Sequence, residues 1–220
     1  YSLNKYQIEK DLEDLADKEF SPIALRFATV FGPSPRLRLD IVINMLTAMA
    51  FVNKNITLNS DGKSWRPNLH INDLCKSIYL TIKTDINNGK LTVLNVGQEA
   101  NNMRIIDIAH IIQNIIPDTK LSFLQKDPNL DKHGLIRDRK ISGKDNRTYK
   151  VNFSRIEKVL PGFKCDFSIH DGVLDLVNWY KKEKINEKHI NSKHFYRLQH
   201  LETLLNKSFL SEDLRWLIKK

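Results

Sequence analysis

The sequence lacks the features that would place it among secreted, metal-binding or membrane proteins. Only two cysteines, Cys75 and Cys165, occur in 220 residues, and neither stands in a Cys-x-x-Cys or Cys/His arrangement. Free thiols in a reducing compartment are therefore expected, with no metal site. No apolar run approaches the roughly 20 residues that a membrane span needs, and no signal peptide is visible. These absences predict a cytoplasmic protein that does not bind a membrane.

Glycine is missing where a dinucleotide-binding turn would require it. None of the eight glycines recurs at the Gly-x-Gly-x-x-Gly or Gly-x-x-Gly-x-x-Gly spacing. Such a turn lets the backbone approach a diphosphate closely at the start of a helix.

The chain is still long enough to bury roughly 70% of its unfolded surface, so a substantial core is expected.

Charge is abundant but unevenly distributed. The formal net charge is +9, yet residues 1–19 carry six acidic side chains against three lysines. Residues 132–150 carry seven Lys or Arg against two Asp, and residues 181–220 carry ten against five. Aromatic side chains are not interleaved with the basic loop, as stacking on nucleic-acid bases would require. The pattern therefore favours a local cation cluster for a diphosphate, and we expect no nucleic-acid partner.

Hydrophobic periodicity and turn residues predict alternating helices and strands. Two buried strands are predicted over residues 23–28 and 91–96, and a buried helix over residues 41–52. A brief strand at residues 56–58 precedes Asn59-Ser60-Asp61-Gly62, which is typical of a hairpin. Further helices are predicted from apolar stripes or capping patterns: residues 72–83, 101–115, 154–160, 173–180, 195–205 and 211–218. The helix from residue 154 is expected to begin with a capping box formed by Ser154 and Glu157.

The first helix carries a tyrosine and a lysine four residues apart, Tyr1 and Lys5. At this spacing the two side chains lie on the same helical face. That face continues through Ile8, Leu12 and Leu15, so we expect it to pack on a sheet. The ammonium favours the phenolate, which lets the tyrosine exchange a proton nearer neutral pH. The pair is therefore a candidate acid–base site.

Five motifs in register carry a family resemblance. They are Tyr-x-x-x-Lys at residues 1–5, LRFATVFGP at 25–33, WRPNLHIND at 65–73, LNVG at 94–97 and DNRTY at 145–149. In this order they resemble the extended short-chain dehydrogenase/reductases, the NAD-dependent epimerase/dehydratase family that modifies nucleotide sugars. The resemblance covers residues 1–180.

The resemblance implies an α/β fold, in which the C-terminal part of a Rossmann-type domain with a parallel sheet joins a smaller α+β substrate-binding domain. We expect residues 1–54 to be the last part of the NAD-binding domain. Residues 55–184 form mainly the substrate domain, with segments returning to the first, and residues 185–220 form a helical tail. In the family the glycine-rich turn and the catalytic Ser/Thr precede the tyrosine. The chain is therefore expected to be a C-terminal fragment, inactive alone.

The same resemblance implies the cofactor chemistry. NAD (or NADP) would accept a hydride from a sugar carbon while Tyr1 acts as the general base on its hydroxyl. Lys5 would hydrogen-bond the nicotinamide ribose and lower the pKa of the tyrosine. Phe27 and Val30 would line the nicotinamide side.

The substrate side is implied in the same way. Thr29 would face the sugar, where many relatives have Asn, and Asn95 would orient a ribose. Arg66 and Arg147 would grip the nucleotide diphosphate, because a guanidinium fork matches phosphate oxygens. We expect a nucleotide-sugar substrate, and a homodimer in the full-length protein.

His70 and Asp73 resemble a metal or catalytic pair, but simpler roles are favoured. We expect Asp73 to cap the helix that it begins and His70 to pack in the fold. No metal is predicted.

Several functions remain compatible with these motifs. Within the leading one, the enzyme is an epimerase, a dehydratase or a reductase of a nucleotide sugar. The alternatives are a short-chain reductase of another small substrate, a non-catalytic relative that does not bind NAD, and a basic nucleic-acid-binding module. The cationic loop at residues 132–150 favours a diphosphate substrate over an apolar one.

Overall fold

The computed structural model describes residues 2–86, 88–124 and 147–217. The chain divides into two compact units. The first contains the described residues of Tyr1–Val30, Trp65–Met103 and Arg147–Ile169, and the second those of Phe31–Ser64, Arg104–Asn146 and His170–Lys220. The domain boundaries at residues 54 and 184 stay a prediction.

The first unit is built on a pair of parallel strands. β1 (Ile23–Phe27) pairs with β5 (Thr92–Val96) in register from Ile23 opposite Thr92 to Phe27 opposite Val96. α1 (Ser2–Leu15) precedes β1. A three-stranded sheet has the order β2 (Thr29–Phe31), β4 (Trp65–His70), β6 (Asn102–Arg104). α3 (Ile71–Lys83) follows β4, and α5 (Ser154–Val159) comes late in the unit.

The core of the first unit lies around β5 and α5. Its buried members are Ala28, Leu69, Leu94, Val96, Phe153, Ile156, Leu160, Phe163 and Cys165. Gly97 directly follows β5, and its backbone lies against the ring of Phe153. A Cβ added there would lie 2.6 Å from two ring carbons of Phe153. The glycine of the LNVG motif therefore serves packing, because any side chain would collide with the ring.

The second unit contains a second parallel pair. β3 (Asn55–Leu58) pairs with β7 (Lys120–Phe123). α2 (Val42–Asn53) and α4 (Ile105–Ile115) supply apolar faces, and α6 (Ile169–Lys182) buries Val173, Leu176, Val177 and Tyr180. The Tyr180 hydroxyl donates to the carbonyl of Asn44 at 2.9 Å, and burial raises its pKa. α7 (Glu187–Ile190) and α8 (Arg197–Asn206) follow.

The parallel pairs confirm the predicted α/β class, but several local predictions are wrong. β1 is not fully buried, since Arg26 and Phe27 are exposed. The turn at Gly62 does not close a hairpin, because β3 pairs with β7 while β4 pairs with β2 and β6. The turn residues at 59–62 therefore connect β3 to β4, which belongs to a different sheet.

Two predictions about helices are also wrong. Ser154 and Glu157 do not form a capping box, because both the N–H and the hydroxyl of Ser154 donate to Asn152 Oδ1. The predicted helix at residues 211–218 is replaced, over its described residues, by turns and a bridge between Leu210 and Trp216.

Every helix in residues 2–86, 88–124 and 147–217 is too short or too polar to span a lipid bilayer.

Candidate functional site

Lys5 lies beside the end of β1, as the cofactor prediction requires. It stands on α1 and lines a surface cavity of about 500 Å³ together with Phe27. The other lining residues are Ser2, Tyr6, Glu9, Leu25 and Arg26. Phe27 is 39% exposed, so part of its ring is available to a ligand. Tyr1 lies outside the described residues, and its catalytic role stays a prediction.

An ion pair holds α1 against β1. Arg26 Nε donates to Glu9 Oε1 at 2.7 Å, and its Nη2 donates to Glu9 Oε2. The hydrogen bonds from Arg26 lower the pKa of Glu9, and those to Glu9 raise the pKa of Arg26. Glu9 is one turn beyond Lys5, so the pair fixes the face of α1 that carries the lysine. The sequence analysis missed this contact, although an arginine within an otherwise apolar strand was a visible signal.

Thr29 and Val30 lie on β2, two and three residues beyond Phe27. Both are half-buried, and Val30 packs against the core cluster around β5. Neither lines the cavity that contains Lys5 and Phe27. The structure therefore brings Lys5 and Phe27 together and gives Val30 a packing role, while the substrate contact of Thr29 stays a prediction.

Arg66 and Arg147 are brought together along β4. Arg66 Nη1 donates to the carbonyl of Trp65 at 2.8 Å and to the carbonyl of Arg147. Its guanidinium carbon lies 5.6 Å from the centre of the Tyr149 ring, and the Trp65 N–H donates to Thr148 Oγ1 at 3.0 Å. The segment from Arg147 onward therefore runs beside the first residues of β4.

Lys150 adds a third cation to this surface, which sequence reasoning did not identify. Its Nζ lies 3.7 Å from the centre of the Trp65 ring, within the range of a cation–π contact. The sequence signal was the aromatic–basic pattern TYK at residues 148–150. Arg66, Arg147 and Lys150 together form a basic surface at the start of β4. Asp145, the first residue of the DNRTY motif, lies outside the described residues.

Asn95 has a structural partner. Its Nδ2 donates to the carbonyl of Asn152 at 3.3 Å, which joins β5 to the segment before α5. A role in orienting a ribose stays a prediction.

His70 and Asp73 have structural roles. The His70 ring stacks on Phe167 with centroids 4.0 Å apart, and its Nδ1 accepts from the Asn72 N–H. His70, not Asp73, is the capping residue of α3. Asp73 instead accepts from the N–H groups of Asp166 and Phe167 at 2.8 and 3.2 Å. Burial raises its pKa, while these two hydrogen bonds act in the opposite direction.

Cys165 is buried near Asp73, and this burial raises the pKa of its thiol to about 12. The thiol is therefore neutral at physiological pH and unsuited to nucleophilic or metal-binding roles. Within the described part of the chain, no group of three or more His, Cys, Asp or Glu side chains could hold a metal ion.

Comparison with known proteins agrees with the motifs. Residues 1–97 match the NAD dependent epimerase/dehydratase family. The fold resembles UDP-glucose 4-epimerase from Thermotoga maritima, with a TM-score of 0.66 and 19% identity, covering 84% of this chain and 54% of that one.

Two other solved structures show the same likeness. The ADP-L-glycero-D-manno-heptose-6-epimerase of Helicobacter pylori has a TM-score of 0.61 at 15% identity, covering 82% of this chain and 50% of that one. The UDP-glucuronic acid 4-epimerase of Bacillus cereus, in complex with UDP-glucuronic acid and NAD, has a TM-score of 0.57 at 23% identity, with coverages of 74% and 46%. The chain thus spans about half the length of the structures it matches. The match over residues 1–97 and the shared Rossmann-like fold confirm the resemblance to the NAD-dependent epimerase/dehydratase family.

Proposed function

We propose that the protein is an NAD(P)-dependent enzyme that epimerises or dehydrates a nucleotide sugar. The observation that carries this proposal is the cavity shared by Lys5 and Phe27, at the carboxyl end of the parallel strand β1. Parallel α/β sheets bind ligands outside the carboxyl ends of their strands. The family match of residues 1–97 includes both side chains.

The residues around this cavity suit the nicotinamide ribose end of the cofactor. A volume of about 500 Å³ lies within the range of small-molecule sites. Lys5 offers ammonium donors for ribose hydroxyls, and the exposed part of Phe27 offers an apolar surface for a flat ring. NAD(P) would supply the hydride acceptor, which a protein side chain cannot provide.

The protein's own residues then have distinct tasks. Tyr1 would take the proton from the sugar hydroxyl, since a tyrosine one turn before Lys5 would lie on the same helical face. Lys5 favours the phenolate through its charge and binds the ribose through its N–H groups. Glu9 and Arg26 position α1 on β1, so that the helix bearing Lys5 keeps its orientation.

The basic surface at the start of β4 suits a nucleotide diphosphate. Arg66, Arg147 and Lys150 concentrate positive charge on one surface, and arginine binds phosphate oxygens bidentately. Among the similar structures, those of the Bacillus cereus and Thermotoga maritima enzymes contain UDP-glucuronic acid and UDP-glucose. We therefore propose a nucleoside diphosphate sugar as the substrate and a homodimer as the working form.

The role of Lys5 at the cofactor site is tested by the substitution Lys5→Met in the complete native protein. Conversion of UDP-, dTDP- and ADP-sugars with NAD is followed by NMR. We expect turnover to fall by about 10²–10⁴-fold. The substitution removes the ammonium that favours the phenolate of Tyr1 and the hydrogen-bond donor to the nicotinamide ribose. Lys10→Met is the matched control, since Lys10 pairs with Glu13 and does not line the cavity. Equal turnover in both variants would refute the role of Lys5.

The experiment for the substrate side is Arg147→Ala, measured by titration of UDP and of NAD. We expect UDP affinity to fall about tenfold or more while NAD affinity is unchanged, because the arginine is proposed to meet phosphate of the nucleotide sugar alone. Arg155→Ala, an exposed arginine on α5, is the control. If UDP binds the Arg147 variant as tightly as the wild type, this residue does not belong to the substrate site.

A further inference from the structure

A second basic cavity, of about 300 Å³, lies in the second unit. It is formed by the segment after the Gly32-Pro33 turn and by the first turns of α8. Arg36 and Arg38 line it from the segment, and Arg197 and His200 line it from α8. None of these side chains has a role in the function proposed above.

The segment carries its arginines at the surface because its burial alternates. Leu37 and Leu39 are 4% and 1% exposed, whereas the side chains between and around them reach the surface. The buried leucines therefore anchor the segment, and Arg36 and Arg38 both reach the cavity at its surface.

α8 is held against this segment and presents a matching face. The Leu39 N–H donates to the carbonyl of Phe195 at 2.9 Å, just before α8 begins. Arg197, His200 and Leu201 are three and four residues apart, so they share one face of the helix and line the cavity together.

The charges in this cavity are unbalanced. Arg38 binds Asp40 through two hydrogen bonds of 2.8 Å, which neutralises one guanidinium. Arg36 and Arg197 have no carboxylate partner among the described residues. The first turn of α8 contains no acidic residue and its start has no side-chain cap, so the positive end of the helix adds to the field. Such an arrangement favours the binding of an anion.

We propose that this cavity binds a small molecule that carries a diphosphate group. The two guanidiniums without carboxylate partners, Arg36 and Arg197, can each bind one phosphoryl group bidentately, which matches two linked phosphates better than one. His200 supplies a further polar contact from α8, and Leu37 and Leu201 close the apolar side. The proposal does not depend on the function proposed above, because it uses different residues.

The test is calorimetric titration of inorganic pyrophosphate into the full chain at low ionic strength. We expect one equivalent to bind in this cavity, with Arg36→Gln and Arg197→Gln each weakening the affinity of that equivalent about tenfold, because each removes a charged donor. Arg215→Gln is the control, since this exposed arginine of the same unit does not line the cavity. Thermal unfolding of all variants should match the wild type, because the substituted side chains are exposed.

Further titrations separate this cavity from the nucleotide-sugar site. Arg66→Gln should leave the Arg36-dependent part of pyrophosphate binding unchanged, while Arg36→Gln should leave the Arg147-dependent part of UDP binding unchanged. Inorganic phosphate should bind at least tenfold more weakly than pyrophosphate. The proposal is overturned if pyrophosphate does not bind, if sulfate binds equally well, or if only Arg66→Gln reduces the affinity.

Discussion

Helices α1 and α4 both carry an apolar stripe, which is dense in α4 and sparse among charged residues in α1, and the two helices are held in the protein in different ways. α4 buries Ile108, Ala109 and Ile112 completely. α1 buries none of its residues: Ile8 is 50% exposed and Leu15 is 65% exposed. α1 is attached to β1 by the ion pair of Glu9 and Arg26 rather than by its apolar face.

The difference shows what a periodic stripe can and cannot predict. The spacing of apolar residues specifies a helix with one apolar side, because that depends only on the 3.6-residue repeat. Whether that side is buried depends on which elements cover it. α4 has such neighbours within its unit, whereas the stripe of α1 is open in the described chain. The stabilisation gained from burial, about 25 cal/mol per Å² of apolar surface, is therefore realised in α4 and not in α1.

The largest expected effect tests this contrast directly. Ile112→Ala should lower the free energy of unfolding by about 3 kcal/mol, because it removes buried methyl groups and leaves a cavity. Ile8→Ala should change it by about 0.5 kcal/mol or less, because the exposed side chain loses little and alanine favours the helix. Urea unfolding followed by circular dichroism measures both. Comparable losses in the two variants would mean that the stripe of α1 is covered in solution.

A smaller effect is expected where packing excludes a side chain. Gly97→Ala should cost about 2 kcal/mol, because the added Cβ would lie 2.6 Å from the Phe153 ring and the core around it cannot move freely. Gly162→Ala is the control: nothing lies within 4 Å of its added Cβ, so its cost of about 1 kcal/mol comes only from the positive φ of 83°. If combining Gly97→Ala with Phe153→Leu restores none of the loss, the clash is not its cause.

The regular elements were largely predictable from the sequence. α2 and α6 lie close to their predicted ranges because each has an apolar pattern that no competing signal interrupts, whereas the helix predicted from residue 101 begins only at Ile105, since Asn102–Arg104 form β6. One error occurs where the partners are distant in sequence: the pairing of β3 with β7, more than 60 residues apart, follows from the fold and not from the local turn residues at Gly62. The capping box failed for a local reason, because Asn152 accepts from the Ser154 N–H that Glu157 was expected to bind.

In the candidate site too, residues within motifs could be predicted, whereas contacts between distant segments could not. Lys5 and Phe27 could be named from motifs, and the structure places them around one cavity. The ion pair of Glu9 with Arg26 and the contact of Lys150 with Trp65 were missed, because both join segments whose proximity only the fold creates. Arg36 and Arg197 are 161 positions apart in the sequence, and no local pattern connects them.

The smallest expected effect concerns the polar attachment of α1. The pKa of Glu9 is lowered from its ordinary value of 4.5 in the folded protein, so its pair with Arg26 stabilises the fold above that pH. The contribution is lost as the pH falls below 4.5 through the folded pKa. Glu9→Gln should therefore cost about 0.5 kcal/mol at pH 6, a size typical of partly exposed pairs, and less at pH 3. Glu13→Gln is the control, because its pair with Lys10 lies within α1 and does not reach β1. A loss for Glu9→Gln that is equal at both pH values would show that α1 is held by something other than this ion pair.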